Sequence, residues 1–519
     1  MVFDRSFSSD RSFAGHARFV LTRLKVSVLF TMDEPGINDT IELLERFLKI
    51  LKEEQVFDQN AHHPVVRFLH PSELHKEIPI SLHEESASDE EIERAIRQTI
   101  RYSVKTSSPH FHNQLYAGID KYGLIGSWLT DVLNTSIYTY EVAPVFTLME
   151  MEIIRKSAEL FGYPADNSDG ILNPGGSLSN MYGMVMARFR KTPNVKELGL
   201  RESPQLVCFT SEQGHYSIVK AAHWLGLGVN NVYKVQTDEY GRMKPNDLRR
   251  LVKKSRDENK LPFFVNATCG STVLGAIDPL EEIYAICQEE ELWFHVDACL
   301  GGSVIFSKKY QHRLLGIALS DSLAWNPHKM LGVPLQCSLF LVKHKAALDT
   351  VNSVKAKYLF QQDKFYDVTW DVGDKSVQCG RKVDAMKFWL MWKARGTSGF
   401  EQSVEKAMYC AEYFLKRIKE TPGFRPVLSE YECNNVCFWY IPPSMRGQEE
   451  TPIWWRDISR VTTKIKESMV LDGSLMIGYT PLPNLLVNFF RMVVSCEPPP
   501  TEASMDYVIS QIERFGANL

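Results

Sequence analysis

The chain has no apolar run near the roughly 20 residues that a membrane-spanning helix needs, so no such helix is expected. It has no basic excess either. The net charge is -4, which gives no reason to expect a nucleic-acid or anionic-membrane partner. Its ten cysteines contain no CxxC pair, and several lie inside apolar runs. Free thiols in a reducing, cytoplasmic setting are expected, with no metal site. Repeats, low-complexity tracts and the nucleotide-type GxxxxGK[ST] loop are also missing. What remains is ordinary globular composition over 519 residues, 44% apolar and 24% charged, long enough for a large core and more than one domain.

The first 31 residues carry five basic and two acidic residues, several serines and the short apolar patch "VSVLF". Asp4 and Asp10 argue against a transit peptide, and "VSVLF" is too short for a secretory core. Residues 1–35 are expected to be a disordered or spliced-in leader ahead of the start-like "MDEPG" at Met32.

From Asp39, a plausible N-cap, Ile41, Leu44, Leu48 and Leu51 recur at helical spacing. Ser88 and Glu91 predict a capping box for a second helix. "HPVVRFLHP" and "PHFHNQ" read as loops, and residues 36–115 as a mostly helical N-terminal segment. Beyond this the pattern changes. Short runs that are apolar on both faces ("QLVCF", "FFVNAT", "LWFHVDA", "DSLAW") alternate with helical stretches, as in a parallel sheet covered by helices. An α/β domain over 116–395 is expected. A smaller α+β domain over 396–519 should follow, its first helix opened by a capping box at Ser398 and Glu401.

In an open parallel sheet, ligands sit at the carboxyl ends of the strands. "QLVCFT" runs on to His215, "FFVNAT" ends at Thr268, "LWFHVDA" reaches Asp297, and "DSLAWNPHK" ends at His328 and Lys329. Singly, each has a bland reading: a loop histidine, a turn-capping aspartate, a surface lysine. Four successive strands delivering different polar groups to one edge suggest a shared site. A buried lysine of depressed pKa is the residue that forms a Schiff base. "LNPGGSLSNMYGMVMARFR" adds a Gly-Gly turn, the hydroxyls of Ser177 and Ser179, and a helix start whose N–H groups suit a phosphate. Together these groups suggest pyridoxal phosphate.

"NPHK", "HVDA" followed by Gly-Gly, "FTSEQGHYS", "NPGGSLSNMYG", "YTYEVAPVF" and "QCGRKVDAMKFWLMWKARGT" strongly resemble the group II pyridoxal-phosphate amino-acid decarboxylases. The branch they resemble is that of glutamate, cysteine sulfinate and aspartate decarboxylases, from about Thr40 to the C-terminus. The resemblance implies the type I fold of these transferases, like aspartate aminotransferase. It also implies a homodimer with active sites at the interface, so that Tyr366 and Gln114 serve the neighbouring subunit's lysine.

It assigns roles as well. Lys329 would hold the cofactor covalently, Asp297 would pair with the pyridine nitrogen, and His215 would stack on the ring. Ser177, Ser179 and Asn326 would hold the phosphate, Thr268 would bond a polar edge of the ring, and His328 would border the substrate. Arg491 would grip the α-carboxylate through a two-pronged contact, and Tyr366, in "QQDKFYDVTWD", would donate the proton to the product carbanion. Where the family often has Ala-Ala after the aspartate, this chain has Ala298 and Cys299.

For the substrate, Gln114 and its neighbours would line the pocket for the distal acid group. Glutamate decarboxylases usually carry small hydroxyl residues just after "NQL"; Tyr116 stands here, followed by Ala117. A bulky ring shortens the pocket and favours aspartate or cysteine sulfinate, although one methylene gives only roughly 10–200-fold discrimination. Gly332 and Pro334 resemble the glutamate branch, which makes glutamate the alternative substrate.

Overall fold

A computed structural model describes residues 35–58, 63–201, 203–482 and 485–519. The leader expected over 1–35 lies, but for Pro35, outside the described residues. The chain divides after Glu53. On the N-terminal side, helix α1 spans Pro35–Glu53, so Asp39 lies inside the helix and does not cap it.

Beyond Glu53 come helices α2 (Pro71–Glu77), α3 (Asp89–Tyr102), α4 (Lys121–Leu133) and α5 (Pro144–Leu160). The predicted capping box opens α3. Ser88 Oγ accepts from the Glu91 N–H at 3.3 Å, and Glu91 Oε2 accepts from the Ser88 N–H at 2.8 Å. The short strand β1 (Phe111–His112) falls within "PHFHNQ", which reads as a loop in the sequence. Two residues cannot signal a strand by pattern; this one exists because it pairs in parallel with Met476 and Ile477.

The larger sheet is built from β2 (Asp169–Asn173), β3 (Leu206–Ser211), β4 (Val232–Val235), β5 (Leu261–Thr268), β6 (Trp293–Asp297), β7 (Ser322–Trp325) and β8 (Ser338–Val342). Its order is β2-β8-β7-β6-β5-β3-β4, and all pairings are parallel except those of β8. Every residue of β3, β6, β7 and β8 is buried, which explains their unbroken apolar runs. In register, Thr268 pairs with Asp297 and Asp297 with Ala324, so the ends of β5, β6 and β7 are level.

The second sheet combines β1 with β9 (Phe424–Pro426), β10 (Asn435–Tyr440), β11 (Met476–Leu482) and β12 (Leu485–Val493). The chain passes between the sheets through one long helical element, Ala385–Glu420, interrupted at Gly396 (φ 66°). With ψ 172° as well, this backbone conformation is open essentially only to glycine, and the break lies where the sequence suggests a domain boundary.

A buried ion pair ties α5 to the entrance of the larger sheet. Arg381 Nη1 and Nη2 donate to Glu150 Oε1 and Oε2 at 2.5 and 2.7 Å, and Glu150 Oε1 also accepts from the Leu172 N–H at 3.0 Å. Leu172 on β2 leads directly to the Gly175-Gly176 turn, so this pair anchors the strand that feeds the site.

Candidate active site

At the level ends of the parallel strands lies a cavity of about 200 Å³. Helix α6 (Gly176–Lys191) begins at its rim. Gly175 has φ 105°, which only glycine tolerates well. A Cβ on Gly176 would lie 2.8 Å from Asn326 Nδ2 and against the Cys299 sulfur, so a larger residue cannot start the helix this close to the floor.

Six of the residues singled out from the sequence line this cavity: Ser177, His215, Thr268, Asp297, Asn326 and Lys329. Asp297 is 5% exposed, and its Oδ1 accepts from the Cys299 N–H at 3.1 Å. Burial pushes its carboxyl up, but His215, Lys329 and the N–H groups of Cys299 and Asn180 outweigh that and hold it below the usual carboxylate range. It is a carboxylate in a cavity with a lysine. Burial lowers the pKa of His215, whose Nδ1 lies 2.9 Å from Ser217 Oγ. Cys299 also lines the cavity, and burial holds its thiol in the protonated form.

Two other expected contacts face elsewhere. Ser179 is fully buried; its hydroxyl meets Ser338 Oγ at 2.8 Å and accepts from Asn173 Nδ2 at 3.2 Å. Helix geometry explains this, since residues two apart differ by about 200° around the axis. Ser177 looks outward and Ser179 into the sheet. His328 is held by the Cys337 backbone, its Nδ1 lying 2.6 Å from that carbonyl oxygen and 3.1 Å from that nitrogen, and does not line the cavity.

Within one chain, four more lie outside this cavity. Tyr366 donates to Asp371 Oδ1 at 2.8 Å, beside Lys364 Nζ at 3.0 Å. Gln114 is exposed and Tyr116 half-buried, its ring 6.3 Å from that of Phe111. Arg491 on β12 donates through Nη1 to the carbonyl of the cavity residue Thr272 at 3.2 Å, and through Nη2 to that of Asn113 at 3.4 Å. It therefore bridges the cavity margin and the segment that carries Gln114.

The sequence reading missed Asn180, which donates to Asp297 Oδ2 at 2.8 Å. The signal was available: Asn180 follows Ser177 by three residues and shares its helix face. Tyr216, Gly270 and Thr272, also in the lining, follow strand ends but carry no spacing signal.

Two buried polar atoms of the cavity lining have no hydrogen-bond partner, Thr268 Oγ1 and Asn326 Oδ1. Buried polar groups are normally satisfied. Orphans beside an amine, a carboxylate and a helix N-terminus fit a polar, phosphate-bearing ring such as pyridoxal phosphate.

Comparison with known proteins points the same way. The family model described as "Pyridoxal-dependent decarboxylase conserved domain" matches residues 71–441. The chain is 46% identical over 480 residues to the acidic amino acid decarboxylase GADL1 of Xenopus tropicalis, covering 92% of this chain and 93% of that one. It is 46% identical over 479 residues to mouse cysteine sulfinic acid decarboxylase, covering 92% and 96%. The crystal structure of mouse CSAD superposes with a TM-score of 0.90 at 45% identity, covering 94% of this chain and all of that one. Rice TDC with pyridoxal phosphate and tryptamine, at 19% identity, shares the fold with a TM-score of 0.83 over 94% of this chain and 99% of that one. The type I architecture expected from the sequence is the fold of these enzymes. With the family match spanning both the lysine and the carboxylate of the cavity, the chain belongs to the pyridoxal-dependent decarboxylases.

Proposed function

We propose that the protein removes the α-carboxylate of short acidic amino acids as carbon dioxide, converting L-cysteine sulfinate to hypotaurine and L-aspartate to β-alanine. The observation that carries this reading is the cavity uniting Lys329, Asp297 and His215 in a chain whose relatives are named for acidic amino acids and cysteine sulfinic acid. Bound pyridoxal phosphate supplies the electron sink that decarboxylation needs. Lys329 would hold it through its ε-amine, Asp297 would accept from the pyridine N–H, and His215 would lie against the ring. Ser177 and Asn326 would hold the phosphate, with Thr268 on a polar edge. Arg491 would orient the substrate α-carboxylate and Tyr366 would return a proton to the α-carbon.

Tyr116 lies outside its own chain's cavity, so it would favour the shorter substrates by narrowing the cavity of the partner subunit. Gly332 and Pro334, the residues favouring glutamate, have a packing explanation. A Cβ on Gly332 would lie 2.6 Å from Glu497 Cγ, and Pro334 packs on Gly123 of α4. Glutamate is the alternative substrate that the assay must include.

A homodimer accords with the exposed apolar faces of α4 and α5, where Ile125, Val132, Leu133 and Val145 are each more than half exposed. It also accords with Tyr366 lying outside its own chain's cavity. None of the described helices is long and apolar enough to cross a membrane. The free state of all ten cysteines supports a reducing compartment, the cytoplasm.

The test is carbon dioxide release from cysteine sulfinate, aspartate and glutamate by purified protein, with the visible absorbance of the bound cofactor. Lys329→Ala should abolish both turnover and the lysine-dependent band. A wild-type protein as colourless as this variant after cofactor addition would sink the reading, and a clear preference for glutamate would overturn the substrate assignment.

A further inference from the structure

Asn180 lies one helical turn beyond Ser177 and is 1% exposed. Its amide offers two N–H donors and one acceptor oxygen, and all are used. Nδ2 donates to Asp297 Oδ2 at 2.8 Å and to Ser217 Oγ at 2.9 Å, while Oδ1 lies 3.0 Å from His295 Nε2. The orientation is forced, because the Asp297 carboxylate only accepts. The amide oxygen must then accept from His295, which fixes that ring's proton on Nε2. Its Nδ1 accepts in turn from the Ser322 hydroxyl at 2.8 Å, whose oxygen receives the donor-only indole N–H of Trp293 at 2.8 Å.

Donation therefore runs one way, from Trp293 through Ser322, His295 and Asn180 into Asp297. A donor-only group at one end and an acceptor-only group at the other leave a single proton arrangement. Such aligned chains strengthen each bond in them. A second arm leaves the same amide. With its oxygen taken by Asn180, Ser217 turns its hydroxyl proton to His215 Nδ1, and its backbone N–H also approaches that nitrogen at 3.3 Å. His215 consequently carries its proton on Nε2.

We propose that Asn180 is a positioning residue whose single amide orients Asp297 as an acceptor and fixes the tautomer of His215. The Asp297 half rests on the cavity being the pyridoxal-phosphate site; the His215 half does not. If Asn180 merely filled the core, the charge added by Asn180→Asp would raise the His215 pKa but leave its proton on Nε2.

The experiment uses full-length protein labelled with ring-¹⁵N histidine, without and with pyridoxal phosphate. The His215 signals are identified by their loss in His215→Gln. The isosteric Asn180→Asp replaces both donors with acceptors and draws the Ser217 hydroxyl towards the new carboxylate. In cofactor-free protein, the His215 pKa is expected to rise by about one unit or more, with the proton shared onto Nδ1. Affinity for pyridoxal phosphate, read from its absorbance, should weaken about tenfold or more.

Ser217→Ala, which cuts only the second arm, should alter the His215 tautomer with a smaller loss of affinity; it also serves if Asn180→Asp folds poorly. An unchanged His215 tautomer in either folded variant overturns the coupling. Wild-type affinity in Asn180→Asp overturns the Asp297 half. A wild-type protein that takes up no pyridoxal phosphate removes the cofactor reading itself, while the His215 tautomer still decides the coupling.

Discussion

Three buried histidines, His112, His295 and His328, have pKa values pushed down by burial from 6.5 to about 4. Above pH 6.5 these rings are neutral in folded and unfolded chains alike, so they add no pH dependence. Between 6.5 and about 4, the unfolded chain takes up protons that the folded chain refuses. Stability contributed by the three rings is therefore fully present above the unfolded value and falls with pH through this window, by about 3 kcal/mol for each ring near pH 4. Three such rings remove about 9 kcal/mol near pH 4, a large share of net stabilities of about 5–15 kcal/mol. Acid unfolding should begin in this window, before most carboxylates titrate. The assay is the urea midpoint from tryptophan fluorescence at several values between about pH 7 and pH 4.5. His295→Gln, which keeps an amide donor for Asn180, should reduce the proton uptake on unfolding by about one. A midpoint that does not move between pH 6.5 and 4.5, or a slope unaltered by His295→Gln, refutes the reasoning.

Arg381→Met strands Glu150, 4% exposed, and should cost about 3–5 kcal/mol, seen as a lower urea midpoint. Adding Glu150→Leu should recover part of the loss, and equal loss in the single and double variants would count against a stranded charge. Tyr116→Ser should relax discrimination against glutamate by about tenfold in relative kcat/KM, and unchanged ratios would remove Tyr116 from substrate selection. Mixing Lys329→Ala with Tyr366→Phe subunits should restore about a quarter of the wild-type sites if the tyrosine serves the partner's lysine. No restoration in mixtures that sedimentation shows to contain heterodimers would place Tyr366 with its own chain's lysine.

The parts of this fold that the sequence displays are those set by local chemistry. Strands β3, β6 and β7 are buried on both faces, so their composition announces them and their ends disclose His215, Asp297 and Lys329. The capping box at Ser88 is legible because four consecutive residues make it. What distant partners create stays hidden. Phe111–His112 is a strand only because Met476 and Ile477 lie beside it, and Arg491 reaches Asn113 only through that pairing of distant segments. Between these extremes lies helix phase. Ser177 and Ser179 look alike as hydroxyls after Gly-Gly, and composition alone makes both into phosphate ligands. Once Gly176 is taken as the first helical residue, the 3.6-residue period separates them: positions 177 and 180 share one face and 179 takes the opposite one. The same step that removes Ser179 from the cavity brings in Asn180, so the two errors have one cause, and fixing the helix start corrects both.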